Sequence, residues 1–154
     1  MNARRIGITL ALCFVGAALC LAADGFLGTW KLNEAKSKLA PGTPKNSTVV
    51  YSTMSDNVMV TIDGTDAAGK PSHTEWTGKF DGKDYPVTGD PNSDARSYKK
   101  VDDHTMELTV KKGGKTALTG RIVVAADGKS RTVTTSGTDA KGNKFSNTAA
   151  FDKQ

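Results

Sequence analysis

The sequence predicts an all-β domain: an antiparallel up-and-down meander of about eight to ten strands closed, or nearly closed, into a barrel. Three observations carry this. Short runs of alternating apolar and polar residues fill the chain from Gly25 onward, and alternation at period two marks a strand with one face toward a core. Gly, Asp, Asn and Pro punctuate those runs at short intervals, so sequence neighbours are expected to pair in space. A ten-residue phrase also occurs twice. Val60-Thr-Ile-Asp-Gly-Thr-Asp-Ala-Ala-Gly69 returns as Val133-Thr-Thr-Ser-Gly-Thr-Asp-Ala-Lys-Gly142. Each copy reads as a strand entering a tight turn, so the shared aspartates are expected to cap turns and not to bind ions.

Taken in order, strands are expected near residues 27–32, 47–54, 58–64, 72–80, 84–89, 95–101, 104–111, 115–125, 130–137 and 144–152. Val58, Val60 and Ile62 oppose Met59, Thr61 and Asp63. Trp76 and Phe80 share a face with Thr74, and Met106, Leu108 and Val110 share another. Lys112-Gly-Gly-Lys115 has the composition of a two-residue hairpin with positive φ at its centre. The segment Asn33–Asn46 differs. It carries two prolines, and Ala35–Leu39 reads as a single helical turn, so the segment either crosses one end of the barrel or forms a surface loop. A two-sheet sandwich of the same strands is the alternative fold.

The first 23 residues form a separate unit. Arg4 and Arg5 precede an uncharged run from Ile6 to Leu21, closed by Ala22-Ala23, which has the layout of an export signal. The expected organisation is a signal peptide over residues 1–23 and one all-β domain over 24–154, periplasmic or secreted. No membrane span is expected after processing. A lipid anchor at Cys20 is not expected, because Leu19 precedes it where a small residue is needed. Both cysteines, Cys13 and Cys20, lie in the leader. The processed chain therefore enters an oxidising compartment without disulfides and has no thiol nucleophile.

Loss of Arg4 and Arg5 takes the formal net charge from +5 to +3. The lysines are scattered among turn aspartates, without the dense basic face and interleaved aromatics that nucleic acid needs. Glu75, Lys79, Glu107 and Lys111 on outward faces argue against a lipid-facing band. No phosphate loop, Gly-x-Ser-x-Gly or His-Glu-x-x-His occurs, so no catalytic residue, metal ligand or cofactor is assigned. Of the two histidines, His73 reads as a surface group beside Glu75. His104 shares parity with Met106 and Leu108 and is expected to face inward.

Phe26-Leu-Gly-Thr-Trp-Lys-Leu32 resembles the opening strand of lipocalins and fatty-acid-binding proteins. More loosely, the whole chain resembles a group of short exported bacterial proteins. The first resemblance implies a barrel plugged at one end by Trp30, under an arginine from a late strand, Arg131 or Arg121. It also implies an interior that takes a small ligand. The Arg-x-Tyr pair that holds a carboxylate near the C-terminus of fatty-acid-binding proteins is missing from Lys144–Phe151, although Arg96-Ser-Tyr98 has the spacing mid-chain. The ligand-binding residues expected are Trp76, Phe80, Arg96, Tyr98, His104, Met106 and Leu108. The function expected is binding of a small apolar or amphipathic molecule by an exported protein. The alternative is a non-enzymatic envelope interaction or inhibitor module, its partner unspecified, acting through the charged tips Lys111–Lys115 and Asp81–Asp84.

Overall fold

The computed structural model describes residues 25–139 and 142–154, so the expected signal peptide and Cys20 lie outside it. Ten strands form: β1 (Gly28–Lys38), β2 (Lys45–Met54), β3 (Asn57–Thr65), β4 (Pro71–Gly78), β5 (Tyr85–Thr88), β6 (Ala95–Lys100), β7 (Thr105–Lys112), β8 (Lys115–Val124), β9 (Ser130–Thr138) and β10 (Lys144–Lys153). No helix occurs among the described residues. Each strand pairs antiparallel with the next, and β1 pairs with β10, which closes the barrel. Closure decides between the two folds considered. Pairs such as Trp30 with Lys153 and Leu32 with Phe151 leave no free edge, whereas a sandwich keeps exposed edge strands.

The expected helical turn at Ala35–Leu39 does not form. β1 runs on to Lys38 through an irregularity in which Asn33 opposes Ala150 and Lys38 opposes Thr148. Two side chains hold the bulge. The Ser37 hydroxyl donates to the Asn33 carbonyl at 2.7 Å and accepts from the Ala150 N–H at 2.9 Å. Asn33 donates to Asp152 at 2.7 Å and accepts from the Lys36 N–H at 3.2 Å. A helix there would strip β10 of these partners, and helix propensity is weak enough for such pairing to override it. Beyond β1 the chain turns over the barrel mouth, where the Ala40 N–H donates to Asn147 Oδ1 at 2.7 Å.

The repeated phrase is a repeated hairpin. Moved by 73 residues, β3 falls on β9 and the first residue of β4 falls on that of β10. The turns share their main hydrogen bonds. Asp66 N–H donates to the Lys70 carbonyl at 2.9 Å, as Asp139 N–H does to the Asn143 carbonyl at 2.9 Å. Each aspartate Oδ1 accepts the returning N–H, from Lys70 at 2.9 Å and from Asn143 at 2.8 Å. The first glycine of each copy has a different role. A Cβ on Gly64 would lie 1.9 Å from the Lys45 carbonyl oxygen, and one on Gly137 would lie 2.5 Å from that of Ala117. At both sites the preceding strand crosses too closely for a side chain.

One end of the barrel is packed solid. Trp30, Phe26, Trp76, Tyr98 and Met106 are buried there or just above. Trp76 meets Tyr98 edge-on with centroids 4.8 Å apart, and Tyr85 edge-on at 5.7 Å, the offset geometry that aromatic quadrupoles favour. The Trp76 indole N–H donates to the Arg96 carbonyl at 2.9 Å.

Candidate functional site

The other end is hollow. A cavity of about 230 Å³ lies within the barrel, beneath the segments 39–44 and 89–92. Its walls are aliphatic, with Leu32, Val49, Ile62, Leu108, Ile122 and Val133 contributed by six different strands. Strand alternation turns each of them inward. Polar side chains interrupt these walls, among them Asn46, Asp66, Thr74, Asp90, Thr135 and Asn147. Arg96, Tyr98, Tyr51 and Arg131 line the cavity together with Phe151.

Arg131 sits on the plug. Its guanidinium carbon is 4.8 Å from the centroid of the Trp30 ring, 4.9 Å from that of Tyr51 and 4.9 Å from that of Phe151. Trp30 is fully buried, and its indole N–H donates to the Phe26 carbonyl at 2.9 Å. Of the two arginines with the right chemistry, it is therefore Arg131 that covers the tryptophan. Three aromatic faces stabilise the cation. The Tyr51 hydroxyl is a hydrogen-bond neighbour of Arg131, while Arg131 Nε and Nη1 have no partner.

Arg96 is buried as well, and its Nε lacks a partner. Its Nη1 reaches the Tyr98 hydroxyl only at 3.5 Å, and its Nη2 lies 3.9 Å from Asp90 at the rim. The Tyr51 and Tyr98 rings meet edge-on at 6.1 Å, Tyr98 beside Arg96 and Tyr51 against Arg131. Burial, and then the neighbouring Tyr98, push the Tyr51 hydroxyl far above the ordinary tyrosine range. Tyr51 is thus neutral and able to donate.

Arg96, Tyr98 and Leu108 line the cavity, as do none of Trp76, Phe80 and Met106, which belong to the packed end. His104 lies elsewhere: it is exposed on the surface, contrary to its parity. The turn before β7 accounts for this. The His104 N–H donates to Asp102 Oδ1 at 2.8 Å, its carbonyl accepts from the Val124 N–H at 2.8 Å, and Thr105 and Met106 are then both buried. Alternation begins only after the turn. Sequence reasoning also passed over Tyr51 and the segment 89–92, whereas one of its two readings of Asn33–Asn46 took that segment across one end of the barrel. Arg131 carried a signal, because it shares parity with Val133.

Outside the barrel, His73 bridges two carboxylates, with Nδ1 2.6 Å from Asp63 and Nε2 3.3 Å from Glu75. The hydrogen bond to Asp63, then that to Glu75, raises the His73 pKa. Among the described residues no group of three His, Cys, Asp or Glu side chains is arranged to hold a metal ion. The two charged tips are tied together: Lys111 Nζ is 2.6 Å from Asp84.

No protein-family model matches the chain, and no curated protein sequence matches it. Among solved structures it is similar to a redesigned β-barrel, mFAP1, bound to DFHBI. The two share 14% identity over 86% of this chain and 98% of that one, with a TM-score of 0.46.

Proposed function

We propose that this protein binds a small apolar or amphipathic molecule inside the barrel, as a carrier or scavenger and not as a catalyst. The cavity is the observation that supports this reading most. A barrel of this size can fill its interior with side chains, yet here one end is solid and the other keeps about 230 Å³ open. An apolar cavity of about 150 Å³ is already large enough to take benzene. Buried Arg96 and Arg131 face a cavity whose walls also carry Leu32, Val49, Ile62, Leu108, Ile122 and Val133, a mixed lining suited to an amphipathic ligand. Trp30 beneath Arg131 is in keeping with the lipocalin-like resemblance. Export directed by residues 1–23 would place the site in the periplasm or outside the cell. For the alternative reading, through the charged tips, the Lys111–Asp84 pair leaves less free charge to present to a partner.

Fluorescence titration with single-ring aromatics and short-chain amphiphiles tests the proposal, since Trp30 and Trp76 are the only tryptophans. Saturable changes are expected, and they should vanish in Val133→Phe, which fills the cavity from its wall. A panel without saturable binding, or one that binds Val133→Phe equally well, overturns it.

A further inference from the structure

We infer that the ligand is a compact molecule of about nine non-hydrogen atoms, a substituted single ring or a chain of medium length, and that Tyr98 sets this limit. The inference rests on the reading of the cavity as the binding site, and adds the size class of the occupant and the residue that fixes it.

Two observations lead to it. The first is the amount of space. A cavity of about 150 Å³ takes benzene; filled to the same density, about 230 Å³ takes about nine non-hydrogen atoms. The second is what ends that space. Tyr98 lines the cavity and is only 2% exposed. Behind it the Tyr98 ring meets Trp76 at 4.8 Å and Phe80 at 5.9 Å. Trp76 in turn meets Tyr85 at 5.7 Å, and Phe80 meets Phe26 at 6.3 Å. Neither Trp76 nor Phe80 reaches the cavity. Tyr98 is therefore the partition between the open half of the barrel and a continuous group of rings.

The filled half has no slack. Gly78 shares parity with Trp76, and an added Cβ there would lie 2.5 Å from Tyr85 Cγ and 2.6 Å from Trp76 Cζ2. The two rings occupy the place of a side chain at that position. An interior packed this closely admits a ligand only if a side chain is displaced. Beside Tyr98 the floor is closed by Arg131, whose guanidinium carbon lies within 4.9 Å of the Trp30, Tyr51 and Phe151 ring centroids. The mouth limits the ligand in another way. A chain longer than the cavity has to leave between the segments 39–44 and 89–92, past Asp66 and Asp90. Its outer methylenes return to water and gain no burial. Within the barrel, each methylene that leaves water strengthens binding about fourfold.

Titration calorimetry with unbranched primary alcohols from butanol to dodecanol tests the inference. Affinity is expected to rise about fourfold per methylene up to about nonanol and to stay level beyond it. Tyr98→Ala should carry the rise on to longer alcohols, because it opens the partition toward Trp76 and Phe80. Tyr98→Phe keeps the ring and should leave the break where it is. If Tyr98→Ala does not unfold cooperatively, Leu108→Phe decides from the wall, and the break should move to a shorter alcohol. Affinity that climbs unbroken to dodecanol, or a break that neither Tyr98→Ala nor Leu108→Phe moves, overturns the size limit and leaves the cavity reading standing. Failure of every alcohol to bind the unaltered protein overturns both.

Discussion

Gly64→Ala isolates what the repeated phrase demands of its first glycine. The φ angle of Gly64 is outside the left-handed region, so the backbone alone would accept alanine. Space does not. The added Cβ would stand 1.9 Å from the Lys45 carbonyl oxygen, 2.9 Å from its carbon and 3.0 Å from Asn46 Cα, all of them backbone atoms that cannot swing aside. Reaching the 3.4 Å at which ordinary contact begins requires β2 and β3 to part by about 1.5 Å. That movement disrupts the end of the ladder, where Lys45 opposes Thr65 and Asn46 opposes Gly64. Overpacking strain costs about 1–3 kcal/mol and each weakened ladder bond about 1 kcal/mol, so a loss of about 3 kcal/mol is expected. For a domain of this size that lowers Tm by roughly 10 °C. Gly69→Ala, in the same phrase, is the control. Nothing lies within 4 Å of its added Cβ, and only its φ of +80° resists alanine, at about 1 kcal/mol. Urea unfolding of both variants compares them directly. A Gly69→Ala loss equal to or larger than that of Gly64→Ala would refute the close-crossing explanation.

Two further outcomes follow from the packed end and the outer face. Trp30→Phe keeps a ring under Arg131 but removes the indole N–H, leaving the Phe26 carbonyl unpaired in the core; a loss of about 2–3 kcal/mol is expected, and an unchanged urea midpoint would contradict it. For His73, the folded-state pKa is raised by Asp63 first and Glu75 second. Its contribution to stability is therefore fully present below the unfolded value of about 6.5 and is lost as pH rises through the folded pKa. An NMR titration should place the His73 midpoint above 6.5, and Asp63→Asn should lower it more than Glu75→Gln. A midpoint at or below 6.5 in the unaltered protein would remove the basis for this.

Most of the strand plan was legible from local pattern. β3, β7, β9 and β10 start within one residue of their expected positions, because alternation and turn chemistry are properties of adjacent residues. What depends on distant pairing was not legible. Residues 35–38 became strand because β10 needed partners there, and no local signal in Glu34-Ala35-Lys36-Ser37 announces β10. Register shifts at Asn33/Lys38, Asn46/Thr48 and Val110/Lys111 likewise set how the barrel closes. Within the site, parity turned Leu108 inward, and Arg96 and Tyr98 were singled out by their Arg-x-Tyr spacing; all three line the cavity. Parity turned Trp76 and Met106 inward too, and these fill the opposite end. Parity reports which face a residue takes but not its depth along the barrel axis. Depth follows from strand stagger around the whole circuit. His104 shows a second limit, since a turn resets the alternation that a strand carries.

The central claim is that the barrel interior is a site and not a core. A high-resolution crystal structure of the protein grown with benzoate addresses it most directly. The account predicts ligand density within the barrel, with the ring among Ile62, Leu108, Ile122 and Val133. Side chains collapsed into that space, leaving no volume for a ligand, would contradict it.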